Sequence, residues 1–250
     1  MAQQSGIIPL KGTIGKITFY KSKDGYLARE KTNVNGDKIA NDPAFARTRE
    51  NNAEFGSAGK AGKLIRTCLK GLTQTASDSR MTGRLTRDLL KVIKSDTTNG
   101  RGKRMVTDGN MLMLEGFEFN NDGKLGTTLF APYTATINRV TGTLEVSLDP
   151  FTPVNMVSAP AGSTHFKLVS GGAAIDFNQQ QYKADTSSTA ALPWDNVATG
   201  AITLSNTVPA GSTLPLFLVL GIEFYQEVNG DMYPLKNGAF NPLAIVKIAV

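Results

Sequence analysis

The chain has 250 residues, 40% of them hydrophobic and 19% charged, with 25 Gly and 11 Pro; this is globular composition and excludes a collagen-like or disordered chain. Its one cysteine, Cys68, and one histidine, His165, exclude an internal disulfide framework, a Cys-based zinc site and a His-paired metal site within one chain. The net charge of +6 is unevenly spread: residues 1–106 hold 21 of the 27 basic and 9 of the 21 acidic residues, a net +12, and residues 107–250 hold the other 6 and 12, a net −6. Such a split suits a polyanionic partner or head-to-tail contact between copies.

No charged segment leads into an apolar run at the start, so no cleavable signal peptide is expected, and the protein is expected in the cytoplasm or in an assembled particle. Residues 14–29 read as a β-hairpin: Lys16 to Tyr20 and Tyr26 to Ala28 carry strand residues, and Asp24-Gly25 is a turn signal. A lone hairpin is marginal in water, so this one is expected to pair with a sheet of its own chain or of a neighbour.

Two helices follow. Asp42-Pro43 is a helix start, with Asp42 as the cap and Pro43 in the first turn. Phe55, Ala58, Gly62, Ile65, Leu69 and Leu72 recur on one helical face, and the small residues Ala58, Gly59, Ala61 and Gly62 leave room for another backbone. The second helix is expected over residues 78–94, with Met81, Leu85, Leu89 and Val92 as its buried stripe. Its other face carries Arg80, Arg84, Arg87, Lys91 and Lys94, to which the first helix adds Lys60, Lys63, Arg66 and Lys70, and a following loop adds Arg101, Lys103 and Arg104. Three readings compete for this basic face: a solvated outer surface, phosphate contact, and pairing with the acidic half of another subunit. No helix-turn-helix, zinc-finger or RNA-module signature accompanies it.

From residue 110 short runs rich in Val, Ile, Thr, Phe and Tyr alternate with turn signals. Strands are expected at 111–119, 125–130, 133–138, 143–148, 164–170, 173–177, 201–204, 214–228 and 243–250, with Gly171-Gly172 as a turn and 185–192 as an exposed loop. This spacing predicts an antiparallel β-sandwich, jelly-roll-like or Ig-like. The fold class is therefore α+β: a region of hairpin and basic helices over residues 1–106, then a sandwich over 107–250. The apolar stretch from Leu214 to Phe224 is about half the length of a membrane span and holds Pro215 and Glu223. The apolar C-terminal strand is expected to be paired.

Catalytic chemistry is thin. His165 stands in a strand, and no Gly-x-Ser-x-Gly elbow occurs. The run from Gly56 to Lys63 has the wrong glycine spacing for a P-loop, and Leu64 stands where Ser or Thr belongs. Asn120-Asn121-Asp122-Gly123 lacks the spacing of a calcium loop and reads as a turn. The pairs Glu115/Glu118 and Glu223/Glu227 lack an evident substrate cleft. No catalytic residue, cofactor, metal or small-molecule substrate is expected.

The segments Lys11-Gly12-Thr13-Ile14-Gly15, Phe19-Tyr20-Lys21, Asp24-Gly25-Tyr26, Arg29-Glu30-Lys31, Asn41-Asp42-Pro43-Ala44-Phe45 and Arg47-Thr48-Arg49-Glu50-Asn51 form one motif set, with Gly221-Ile222-Glu223-Phe224-Tyr225-Gln226 and Lys236-Asn237-Gly238-Ala239 near the end. Over most of its length the chain resembles a family of uncharacterised proteins from Bacteroidetes. The resemblance implies no activity and transfers no functional residue.

The sequence thus points to a non-enzymatic structural protein that self-assembles into a virion-like, phage-like or cage-like particle or a filament, and so to a homo-oligomer. The alternative is a nucleic-acid-binding accessory protein that contacts phosphates through Lys60, Lys63, Arg66, Arg80, Arg84, Arg87, Lys91, Lys94, Lys103 and Arg104. A third reading is a carbohydrate- or peptide-binding sandwich using Trp194.

Overall fold

A computed structural model describes residues 2–4, 8–23, 25–30 and 36–250. The chain forms two compact units, Met1–Glu50 and Asn51–Val250.

In the first unit β1 (Ala2–Gln3), β2 (Gly12–Ile14), β3 (Ile17–Ser22) and β4 (Gly25–Glu30) make an antiparallel sheet in the order β1-β4-β3-β2. The expected hairpin is the β3–β4 pair, with Phe19 opposite Ala28 and Tyr20 opposite Leu27; Asp24 of its turn lies outside the described residues. Gly15 at φ 57 turns β2 back onto β3. A short helix, α1 (Gly36–Asn41), follows, and Asp42 caps the next turn by accepting from the Ala44 N–H at 2.9 Å.

The second unit is three layers deep. Helix α2 (Ala46–Cys68), of which residues 51–68 belong here, gives way at Leu69 to α3 (Lys70–Thr75), and α4 (Met81–Lys94) packs back against α2. The contact is close because Gly62 has no side chain: a Cβ there would sit 3.2 Å from Leu89 Cδ1. Ala58, Ile65, Leu69, Leu72, Met81, Leu85, Leu89 and Val92 are buried as their spacing predicts, whereas Phe55 is exposed. Each buried Leu or Ile contributes roughly 1.5–3 kcal/mol.

The large sheet is built on β7 (His165–Asp176) and β11 (Leu216–Val228). β8 (Gln181–Ser188) and β9 (Leu192–Pro193) share one flank of β7; β12 (Asp231–Pro234) and β13 (Leu243–Ala249) share one flank of β11. Val169, Ala173, Ile175, Phe217, Val219, Leu243 and Ile245 face the helices. On the opposite face Phe166, Leu168, Ala174, Leu218, Leu220 and Ile222 pack against Leu144, Val146, Leu148 and Leu204 of a second sheet. That sheet has the order β10-β6-β5, formed by β5 (Tyr133–Asn138), β6 (Thr143–Leu148) and β10 (Ile202–Thr207). The two sheets curl together at both seams. Asp185 of β8 accepts from the Thr207 N–H and hydroxyl, and Lys247 of β13 donates to the Ala135 carbonyl at 2.9 Å. The α+β architecture is as expected, with the sandwich curved into a half-barrel.

Several expectations are corrected. The compact units part at Glu50/Asn51 and not at 106/107, because the helices share one apolar core with the sheet. Residues 111–119 and 125–130 are helical turns and irregular backbone, apart from two isolated bridges, Glu118 to Ala244 and Leu129 to Val157. Gly171-Gly172 is no turn, since β7 runs straight through it; the segment read as a loop at 185–192 is largely β8 and β9. The apolar C-terminal strand is paired with β11, as expected. Its outer edge is occupied too: Gly116 and Phe119 N–H groups bond the Ile245 and Leu243 carbonyls.

Candidate functional site

The basic residues do not form one continuous face. Arg84 turns inward, with its side chain 16% exposed. It ion-pairs with Asp78, donates to the carbonyls of Glu118 at 2.6 Å and Phe119 at 3.2 Å, and lies over the Phe117 ring. Its role is to tie the start of α4 to the segment that covers β13. Asp78 is itself held by the N–H groups of Arg80 and Asn121. Burial works against its charge, but these bonds and Arg84 outweigh it and hold the carboxyl below its usual range.

Arg87 and Lys91 both contact Asp88, at 3.2 and 2.6 Å, so part of their charge is neutralised on the helix surface. Arg104 stands 4.0 Å from the buried carboxylate of Glu54, which also accepts from the Gly102 N–H. Arg66 bends back to the Gly62 carbonyl. Lys60, Lys63, Arg80, Lys94 and Lys103 remain exposed. The loop that carries Lys103 is organised by Asp96, a buried carboxylate accepting from the Asn99 side-chain amide and from the N–H groups of Thr98, Asn99 and Met105. The Asn99 amide and these N–H groups hold the Asp96 carboxyl down to about 2.

The other residues singled out by sequence have structural partners. Glu223 accepts from Thr75 and Tyr225 hydroxyls at 2.8 and 2.7 Å; burial and Glu223 push the Tyr225 hydroxyl up to about 12. His165 lies 3.7 Å from Glu227 and contacts the Thr164 hydroxyl. The Trp194 ring packs on the sandwich core and its N–H donates to the Val157 carbonyl, which leaves little of it for a sugar. Gly56 to Lys63 lies within α2. Asn120 is buried and donates to the Ala239 and Asn241 carbonyls, and Gly123 abuts the Phe240 carbonyl, so this run is a packed turn. Burial pushes the Cys68 thiol up to about 12, an inert state. Among the described residues no group of His, Cys, Asp and Glu is placed to hold a metal, and no helix is long and apolar enough to cross a membrane.

Two surfaces that charge counting missed are more unusual. No described side chain of the first unit is buried. The strand register puts Ile14, Ile17, Phe19 and Ala28 on one face of its sheet, with Ile14 and Ile17 exposed at 64% and 46%. A groove of about 610 Å³ runs there, lined by Ala2, Lys16, Ile17, Ala28, Arg29 and Glu30. In the second unit, the far end of β11 pairs only with β12 beyond Glu227 and forms an arm turned by Asn229 and Gly230, at φ 53 and 87. All residues from Gln226 to Pro234 are exposed. The hairpin was legible in sequence, but its apolar face was not: the register of β2, β3 and β4 is what brings Ile14, Ile17, Phe19 and Ala28 together.

No family model and no curated protein matches the chain. A solved structure from work on pH-induced modulation of Streptococcus parasanguinis adhesion by Fap1 fimbriae is similar over 46% of this chain and 80% of its own, at 12% identity and a TM-score of 0.20. At that score it carries no argument.

Proposed function

We propose that the chain is a non-enzymatic structural protein that associates with copies of itself into a larger particle or filament through its first unit. One observation carries this: the four-stranded sheet of Met1–Glu50 has an apolar face and no buried side chain among its described residues. A sheet gains stability by burying one face, at roughly 25 cal/mol per Å² of apolar area. Association covers this face; isolation leaves it wet. The phosphate-binding alternative has less support, because Arg84, Arg87, Lys91 and Arg104 are engaged with Asp78, Asp88 and Glu54.

The test is the mass of the purified, nuclease-treated protein by light scattering at low and high salt, with absorbance at 260 and 280 nm. A species many times 26.7 kDa and free of nucleic acid is expected. A species of one chain mass overturns the proposal, and one that keeps nucleic acid until salt strips it transfers the reading to phosphate contact.

A further inference from the structure

The first unit's apolar face leaves open which surface of a neighbour covers it. We infer that the occupant is the β11–β12 arm of a second copy, an inference that rests on the self-association reading above.

Charge makes the first selection. Residues 11–30, which hold β2, β3 and β4, contain Lys11, Lys16, Lys21, Lys23 and Arg29 against Asp24 and Glu30. Pairing this sheet with its own copy, or with the basic helices, sets like charges against each other. The arm has the opposite character: residues 226–235 contain Glu227 and Asp231 and no Lys or Arg.

Shape and polarity make the second selection. The cross-strand register places Gln226 opposite Tyr233 and Val228 opposite Asp231, so Val228 and Tyr233 lie diagonally on one face of the arm. They are exposed at 44% and 54%. On the sheet, the small residues Ala2 and Ala28 leave the groove open beside Ile17, with Lys16, Arg29 and Glu30 at its margin, two cations to one carboxylate. An aromatic anchor entering such a groove, flanked by opposite charges, is the usual composition of an interface centre. Tyr233 is that anchor, Val228 widens the apolar contact, and Asp231 meets the basic margin.

Each copy offers one sheet and one arm, and the two surfaces differ. Repetition therefore gives a ring, of which a reciprocal two-fold pair is the smallest, or an open filament.

Two variants test it. Ile14→Glu with Ile17→Glu disables the sheet; Val228→Lys with Tyr233→Lys disables the arm. Both arm positions are exposed, so the unfolding midpoint of the second unit is unchanged and serves as the folding control. Each variant alone is expected to run as a single chain. Mixed in equal amounts they are expected to form a heterodimer and nothing larger, since only one live sheet and one live arm remain. Unmutated protein that stays a single chain sinks the self-association reading together with this inference. Unmutated protein that assembles, with an arm variant that assembles equally well, sinks the arm inference alone. So does a mixture of two single-chain variants that forms no heterodimer.

Discussion

Gly172 of β7 and Asn206 of β10 face each other across the sandwich so closely that a Cβ on the glycine would lie 2.9 Å from the Asn206 Cβ, with Leu144 at 3.3 Å. Asn206 is fully buried there and donates its amide to the Ser170 hydroxyl at 2.7 Å. The absent side chain lets the two sheets meet around this polar contact. Gly172→Val is therefore expected to destabilise the protein by about 1–3 kcal/mol through overpacking. Gly59 of α2 is the control: open space lies where its Cβ would be, and Gly59→Ala is expected to gain up to ~1 kcal/mol of helix stability. Urea unfolding of both variants checks the pair; equal effects of one sign reject the packing argument.

The same glycines mark where the sequence was hardest to read. Gly171-Gly172 has the composition of a turn, yet both residues are buried in the middle of β7, between Leu72 of the helix layer and Asn206 of the second sheet. Two-sided crowding, invisible in a one-dimensional pattern, selects glycine there. The β8 segment misled for the opposite reason. Its Ser, Thr and Ala residues lack an apolar face because much of the strand stays exposed, and it is held by pairing to β7 and by Asp185 reaching Thr207. Where one face is buried and the other wet, as in Leu144, Val146 and Leu148 of β6, alternation read correctly. The helical stripe from Met81 to Val92 read correctly for the same reason. The basic residues of α4 were placed on the right helix, but their spacing says nothing of Asp78 or the carbonyls that draw Arg84 inward.

Arg84 and Arg87 are one turn apart on α4 and differ in consequence. Arg84→Ala removes the ion-pair partner of Asp78 and the Arg84 bonds to the Glu118 and Phe119 carbonyls, of which the second keeps the Asp78 N–H, so a loss of about 1–3 kcal/mol is expected. Arg87→Ala and Lys91→Ala strip exposed contacts to Asp88 and are expected to stay within about 0.5 kcal/mol. Denaturant midpoints of the three variants decide. Equal, small losses would show that Arg84 is an ordinary surface cation.

Asp96 makes stability depend on acid. Its folded carboxyl is held down to about 2 from an ordinary 3.8, so the charged form is favoured by folding. The contribution is complete above the unfolded value and disappears as pH falls through the folded one. Asp96→Asn removes the charge that the Thr98, Asn99 and Met105 N–H groups stabilise. The variant is expected to unfold at a lower temperature than the unmutated protein above about pH 5, with the gap closing toward about pH 2. Thermal melts across that range provide the check. A gap that is constant with pH would mean that the side-chain shape, and not its charge, organises the loop.

Removal of residues 1–50 separates folding from association. Every buried hydrophobic residue from Ala58 to Ile248 lies in the second unit. The cut falls within α2 but keeps Asn51 and Glu54, whose side chains bind Arg101 and the Gly102 N–H. Loss of the first unit therefore removes no buried residue among the described ones, and the truncated chain is expected to keep its thermal midpoint within a few degrees, since about 1 kcal/mol corresponds to about 2–4 °C at this size. It is also expected to lose self-association, because the sheet face with Ile14 and Ile17 is gone. Calorimetry and light scattering on one preparation read both outcomes. A truncated chain that melts normally and still assembles would place the subunit contact in the second unit alone. One that no longer folds would show that the first fifty residues are part of the folding unit and not an appendage to it.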